Sequence, residues 1–204
     1  MKKPNPEGDP DRLLTLADGV FAIAITLLVL DLSVPQGLSA DDYHQELRDQ
    51  LPNLGAYAIS LLVLASFWRD HRAMFRTVRQ VDGQVISLTV VGLGLAALLP
   101  FPTSLISEYG DETVSVVVYS AAVAALGLVH LALAGVLSRR PWLRDDTGPV
   151  RDELLSAVDL GATVAVFLIT IPLALLIGPA AMWWWVVLVP VKVWLGNKAN
   201  AAAG

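Results

Sequence analysis

The residues that could carry chemistry are carboxylates and imidazoles placed inside long apolar stretches. Asp18 is separated from Asp31 by twelve uncharged residues. An ionisable side chain inside a membrane-length apolar segment is costly, so it indicates either a functional role or a structural pairing with a nearby Arg or His. His130 and Asp159 lie in other apolar segments. Such residues join neighbouring helices or, in transporters, relay protons.

Several other kinds of chemistry lack the residues they need. The chain has no Cys, which excludes disulfides, thiolate metal sites and a Cys nucleophile. Its three histidines, His44, His71 and His130, lie on separate segments without metal-ligand spacing, so no metal site is predicted. Metalloprotease, serine-hydrolase, P-loop and dinucleotide motifs are absent, and we predict neither an enzyme nor a cofactor. The net charge of −5 argues against a nucleic-acid partner.

Long apolar segments must position these residues. The chain has 204 residues, 55% of them hydrophobic, and the long uncharged runs predict an all-α polytopic membrane protein. A membrane-spanning helix needs about 20 mostly apolar residues. We predict one membrane domain over residues 12–195, between short tails at 1–11 and 196–204. Six spans are predicted at about 12–34, 51–68, 83–107, 112–137, 150–177 and 180–195.

Turn and capping signals divide the spans. Ser39 precedes an acidic segment typical of an N-capped surface helix before the second span. Pro100 and Pro102 interrupt the third span, where they remove backbone donors and predict a kink. Gly178 and Pro179 predict a tight turn between the fifth and sixth spans.

The basic residues indicate the orientation. With six spans, thirteen of the fourteen Lys and Arg residues fall on the side of the two termini, and Arg48 alone falls on the other. The positive-inside rule therefore predicts that both termini are cytoplasmic. The opposite side carries mostly Asp and Glu. That side is interpreted either as a vestibule that concentrates cations or as loops that need polar residues to stay hydrated.

The first span has two unlike faces. At about 100° per residue, one side combines small and apolar residues with one hydroxyl. Its members are Gly19, Ile23, Thr26, Leu27 and Leu30. Asp18 projects roughly opposite Leu27, so another face offers a carboxylate that needs a partner. Periodicity alone favours a packed membrane helix whose Asp18 pairs structurally with a nearby Arg or His.

Three motifs together resemble a known family. The first span opens with R-x-x-x-L-A-D at 12–18 and continues with AIAIT, the second ends in W-x-x-H at 68–71, and PFPT at 100–103 breaks the third. This combination resembles the bacterial homologues of the lysosomal potassium channel transmembrane protein 175. The resemblance covers all six predicted spans.

The resemblance implies a potassium channel without a P-loop filter. It implies a homotetramer of single six-helix chains in which helix 1 of each subunit lines a central pore. Ile23 is then the narrow apolar constriction, Leu27 and Leu30 form further rings, and Thr26 supplies a hydroxyl layer linked to cation selectivity. Four Ile side chains on one axis can exclude water from a pore, which is a recognised gating device.

The resemblance also implies a polar network that holds helix 1 against its neighbours. Its members are Arg12, Asp18, Trp68 and His71. Positions 16–17 read Leu-Ala where the family has Phe-Ser. This change removes a hydroxyl from the network and alters the packing beside the carboxylate.

The residues themselves leave other functions open. A small proton-coupled secondary transporter could use Asp18, His130 or Asp159 as a relay, and its helices are commonly broken near the midplane. A non-conducting scaffold is a further alternative. For the channel, the expected partners are the lipid bilayer of the bacterial plasma membrane, further copies of the chain, and potassium and other monovalent cations.

Overall fold

The computed structural model describes residues 8–145, 150–188, 190–192 and 194. These residues form α-helices and short 3₁₀ turns without a β-strand, so the all-α prediction is confirmed. The α-helices are α1 (Pro10–Leu27), α2 (Ala40–Asp49), α3 (Leu51–Phe75), α4 (Gly83–Leu98), α5 (Pro100–Glu108), α6 (Thr113–Arg139) and α7 (Val150–Ile177). The 3₁₀ turns are Leu28–Asp31, Pro141–Leu143 and Gly178–Val187.

Five stretches of the described residues are long and apolar enough to cross a membrane, which identifies a multi-pass membrane protein. They are Pro10–Leu30, Asp41–Phe75, Gly83–Glu108, Thr113–Arg139 and Ala157–Lys192. The sequence predicts six spans, one more than these five stretches. The numbers differ because the last stretch contains both the fifth and the sixth predicted spans. The predicted end of the sixth span at 195 lies outside the described residues, as do residues 1–7 and 196–204 of the predicted tails.

The last apolar stretch consists of two antiparallel arms. Gly178 adopts a φ of 72° after α7, a left-handed conformation that glycine reaches without the clash that a Cβ would cause. The chain then returns along α7, because Lys192 Nζ donates to Asp159 Oδ2 at 2.7 Å. The turn predicted at Gly178 and Pro179 is therefore present.

Two predicted helix boundaries differ from the observed ones. The first α-helix ends at Leu27 rather than near residue 34, because its last turn tightens into the 3₁₀ geometry of Leu28–Asp31. The second continues past Trp68 to Phe75. Its charged final turns remain helical because His71 and Phe75 are buried in the protein, so the end of the apolar run was not the end of the helix.

The predicted break in the third span separates α4 from α5. The Pro100 nitrogen cannot donate to the Ala96 carbonyl, and the Leu99 N–H donates to that oxygen instead, at 3.2 Å. Pro100 then occupies the first position of α5, where a missing N–H does no harm.

The connections α3–α4 and α6–α7 meet at one end of the bundle. The Arg79 N–H donates to the Leu143 carbonyl and the Asp145 N–H to the Thr77 carbonyl, each at 2.8 Å. The Asp82 side chain caps α4 and also pairs with Arg140. The start of α4 is thereby fixed to the end of α6. This end holds Arg76, Arg79, Arg140 and Arg144, together with the beginning of α1. We call it the arginine-rich end.

Candidate functional site

Helix α1, together with the 3₁₀ turn Leu28–Asp31 that continues it, divides into a packed face and an open face. Ala17, Phe21, Ala24 and Leu28 are at most 1% exposed and form the face against α3, α4 and α5. The predicted pore residues lie on the other side. Ile23 is 61% exposed, Leu27 41% and Leu30 70%, and Thr26 is also exposed.

Thr26 presents an oxygen on the open face. Its hydroxyl donates to the Ile23 carbonyl oxygen at 2.9 Å, within the same helix. Because this bond uses the single hydroxyl proton, the oxygen of Thr26 remains available as an acceptor. A hydroxyl oxygen with free lone pairs is a suitable ligand for a hard monovalent cation, whereas the neighbouring Ile and Leu side chains offer none.

Asp18 is anchored to α3. Its Oδ1 accepts a hydrogen bond from Trp68 Nε1 at 2.8 Å in a half-buried position. The guanidinium of Arg72 lies over the Trp68 ring, 5.2 Å from its centroid, a distance at which a cation is attracted to the ring face. The carboxylate, the indole and the guanidinium therefore form one contact between α1 and α3, on the side of α1 away from Ile23.

The structure does not bring every residue of the predicted network together. His71 lies one turn beyond Trp68 but belongs to a buried aromatic cluster, where its ring stacks on Phe75 at 4.6 Å and contacts Phe21 at 6.3 Å. Arg12 is exposed at the start of α1 and makes no hydrogen bond or ion pair with the described part of the chain. Within a single protomer, the predicted network is therefore reduced to the Asp18–Trp68 hydrogen bond. His71 packs nearby but is not bonded to it.

A second polar cluster joins three helices around the α4–α5 break. Thr103 Oγ1 lies 2.8 Å from Ser60 Oγ and 2.9 Å from the Leu99 carbonyl oxygen, and Ser60 Oγ lies 3.0 Å from the Tyr119 hydroxyl. All three side chains are at most 1% exposed. Their hydroxyls satisfy one another, which fixes the break against α3 and α6. Thr103 was noted as part of the PFPT motif, whereas Ser60 and Tyr119 had no distinguishing sequence signal.

Two residues lie close to His71 in the structure although no sequence pattern predicts that they meet it. His130 of α6 approaches it with ring centroids 5.6 Å apart, and Thr89 of α4 lines the same narrow crevice. Asp159 lies elsewhere, paired with Lys192 at 2.7 Å and 4.0 Å from Arg69. Histidines far apart in sequence meet only because α3 and α6 pack together, and no local spacing encodes that contact.

The comparisons with known proteins agree with this architecture. The family model described as endosomal/lysosomal potassium channel TMEM175 matches residues 12–100, which include most of α1, the Asp18–Trp68 contact and the start of the α4–α5 break. A potassium channel of Streptomyces collinus is 37% identical over 138 residues, which are 66% of this chain and 67% of that protein. A potassium channel of a Chryseobacterium species is 30% identical over 128 residues, covering 63% of this chain and 65% of the relative.

A solved structure has the same fold. The crystal structure of a lysosomal potassium-selective channel TMEM175 homologue from Chamaesiphon minutus superposes with a TM-score of 0.76 and 23% sequence identity. The match covers 94% of this chain and 98% of that one, so the likeness extends beyond the segment matched by the family model. With this fold and the Streptomyces relative, the chain belongs to the TMEM175 family.

Proposed function

We propose that this chain is the subunit of a potassium-permeable channel in which α1, rather than a P-loop, lines the pore. The related proteins of Streptomyces collinus and Chryseobacterium are named potassium channels. The function is ion conduction and not enzymatic turnover. The expected location is the bacterial plasma membrane, with potassium and other monovalent cations as the permeant ions.

The observation that carries this proposal is the asymmetry of α1. One face is closed by Phe21 and Leu28 against the subunit's own helices, while Ile23 and Leu30 of the other face are 61% and 70% exposed. Thr26 adds an oxygen to the open face. A helix that packs on one side and presents apolar rings with a hydroxyl layer on the other is suited to a pore lining.

Four copies complete the pore in this proposal. Gathered around an axis with their open faces inward, the α1 helices form a constriction at Ile23, apolar rings at Leu27 and Leu30, and a selectivity layer at Thr26. The two antiparallel arms of Ala157–Lys192 are then two crossings. Six crossings in all put both termini on the same side of the membrane, and the distribution of Lys and Arg makes that side the cytoplasm in this proposal.

The contacts behind α1 hold the pore helix in place. Asp18 bonds to Trp68 and His71 packs against Phe21, both on the side away from the proposed axis. Arg12, which has no partner among the described residues of one protomer, is available for a neighbouring subunit. The network therefore serves position rather than permeation.

The geometry does not favour the transporter alternative. A proton relay needs its groups within hydrogen-bonding reach of one another or of bridging waters. Asp18 is bonded to Trp68, whereas Asp159 is paired with Lys192. The two carboxylates thus belong to separate structural contacts.

The experiment is to measure current through the purified protein in planar bilayers with potassium and sodium gradients. The wild type should carry potassium current. Ile23→Asn should raise it severalfold, because an amide wets an apolar constriction. Leu62→Asn is the matched control, since Leu62 is 70% exposed but lies on α3. Silent bilayers from correctly assembled wild-type protein would reject the channel.

A further inference from the structure

A column of rings connects α1 to α6 behind the open face of α1. Phe21 of α1 contacts His71 of α3 at 6.3 Å, and His71 meets His130 of α6 at 5.6 Å in an edge-to-face arrangement. Phe75 stacks on His71 at 4.6 Å, and Phe67 lies 5.1 Å from His130. All five side chains are buried. We call them the ring column.

The His130 ring is held in one orientation. Its Nδ1 lies 2.9 Å from the Leu126 carbonyl oxygen. Because a carbonyl only accepts, Nδ1 carries the proton, and the other ring nitrogen of a neutral His130 has a bare lone pair. The ring cannot rotate about its side-chain bonds without breaking this hydrogen bond. His130 is therefore a fixed end of the column and not a loosely packed residue.

The space around His130 allows little adjustment. The crevice beside it is too narrow to hold a water molecule. A Cβ added to Gly92 of α4 would lie 3.8 Å from His130 Cε1 and 3.4 Å from Val129 Cγ1. Close-packed interiors transmit a displacement to the next contact because they have few voids that could absorb it.

We infer that His130 is a positioning residue for α1: its ring, oriented by the Leu126 carbonyl, sets the position of Phe21 through His71. Phe21 and Ile23 belong to the same turn of α1 and point to opposite sides. A shift of Phe21 therefore moves the proposed constriction. This inference rests on the proposed function, and it adds a residue of α6 that none of the three sequence motifs contains.

The first test compares the ratio of open to closed time in single-channel records. His130→Ala should change this ratio by about two- to thirtyfold, the range reported for residues that couple distant sites. His130→Phe keeps a flat ring but loses the hydrogen bond to the Leu126 carbonyl, so it should restore only part of the wild-type ratio. If His130→Ala does not assemble, His130→Leu takes its place, since it keeps apolar bulk but removes the flat ring.

The control separates position from stability. Val123→Ala opens space at another buried position of α6, outside the ring column, and should lower thermal stability without changing the gating ratio. A gating ratio that Val123→Ala changes as much as His130→Ala does would overturn the inference. So would wild-type gating in both His130→Ala and His130→Leu.

A second measurement does not depend on conduction. The chain has no Cys, so spin labels can be placed at Thr15→Cys on α1 and Ser138→Cys on α6, both exposed positions. The protein is diluted with unlabelled subunits, and the label distance is measured by pulsed electron resonance. His130→Ala should shift this distance by about 1–2 Å, the scale of helix displacements in switching proteins. An unchanged distance rejects the inference even if the channel conducts. If the wild type is silent in bilayers and the distance still shifts, the result supports the inference and rejects only the proposed function.

Discussion

Asp18 shows how a single costly residue is accommodated in an apolar helix. A carboxylate within a membrane span needs a partner, and the Trp68 indole supplies one at 2.8 Å while Arg72 lies over the same ring. The indole N–H donates to the carboxylate, and the apolar body of Trp68 fills space between α1 and α3. One side chain thus satisfies both the charge and the packing.

Trp68→Phe should lower the free energy of unfolding by more than the small change in side-chain volume would suggest. The carboxylate of Asp18 would lose a charge-assisted hydrogen bond, and we expect the free energy of unfolding to fall by about 1.5–3 kcal/mol. Unfolding titrations in mixed detergent measure this quantity. Trp142→Phe is the control at an exposed Trp. Equal effects of the two substitutions would contradict a special role for the Asp18–Trp68 bond.

Thr26 is the residue whose oxygen we expect permeant ions to meet. Thr26→Val removes that oxygen at nearly constant volume and should lower the potassium-to-sodium permeability ratio by roughly fivefold, the equivalent of about 1 kcal/mol for one polar contact. Thr26→Ser should keep most of the preference. Reversal potentials under mixed-ion gradients give the ratio.

Thr15→Val is a matched control for Thr26→Val. Thr15 is also exposed on α1, and its hydroxyl also donates to a backbone carbonyl, that of Asp11, at 2.8 Å. It lies three turns closer to the arginine-rich end, outside the proposed selectivity layer. A loss of selectivity in Thr15→Val equal to that in Thr26→Val would argue against a local role of the Thr26 hydroxyl.

At the scale of elements, small residues decide how closely the helices approach. A Cβ on Gly127 of α6 would come within 2.4 Å of Val164 Cγ2 on α7 and 3.5 Å of Phe67. Helix interfaces in membranes favour small residues for this reason, since close packing rather than water exclusion drives their association. The approach of α7 to α6 at this level therefore depends on the hydrogen side chain of Gly127.

Gly127→Ala should push α7 away from α6 and lower the free energy of unfolding by about 1–3 kcal/mol, the usual cost of overpacking. Gly135→Ala is an internal control on the same helix, because nothing lies within 4 Å of its added Cβ. That substitution should be neutral or stabilising by up to about 1 kcal/mol, since Ala favours a helix over Gly. Both values come from parallel unfolding curves. A neutral Gly127→Ala would contradict the observed α6–α7 contact.

At the scale of the whole molecule, the feature that matters is the open face of α1, which is uncovered in a single protomer. The arginine-rich end is tied together by backbone bonds between the α3–α4 and α6–α7 connections and by the pairing of Asp82 with Arg140. The packed face of α1 is closed against this scaffold. Its open face, with Ile23 and Leu30 exposed, has no covering element in the described part of the same chain.

The absence of Cys allows a direct test of what covers that face. In Ile23→Cys the introduced thiols are the only ones, so oxidation can link only two different subunits. If four α1 helices surround an axis, mild oxidation should convert much of the protein to disulfide-linked dimers on denaturing gels. Native mass spectrometry should give four copies per assembly.

Leu62→Cys on α3 is the comparison for that experiment, since Leu62 is at least as exposed as Ile23 in one protomer. It should cross-link far less, because the proposed axis passes through the α1 helices. A monomeric protein, or stronger cross-linking at position 62 than at 23, would contradict the tetrameric pore.

The class of the protein and most of its helices follow from local properties of the chain. Length, hydropathy and the positions of proline are local properties of the chain, and they gave the all-α membrane fold, the Pro100 break and the turn at Gly178. The resemblance of short motifs identified the family. These features follow from neighbours in the chain, and so the chain alone specifies them.

Contacts between side chains that are distant in sequence depend on the packing of whole helices. The family resemblance predicts Asp18 and Trp68 only as members of a larger network. Within one protomer the two side chains bond to each other, and Arg12 is not part of that contact. The contact of His71 with His130 had no sequence signal. Such contacts depend on the rotation and separation of whole helices, which are set by packing across the bundle. No periodicity within one helix encodes the partner that its buried face will meet.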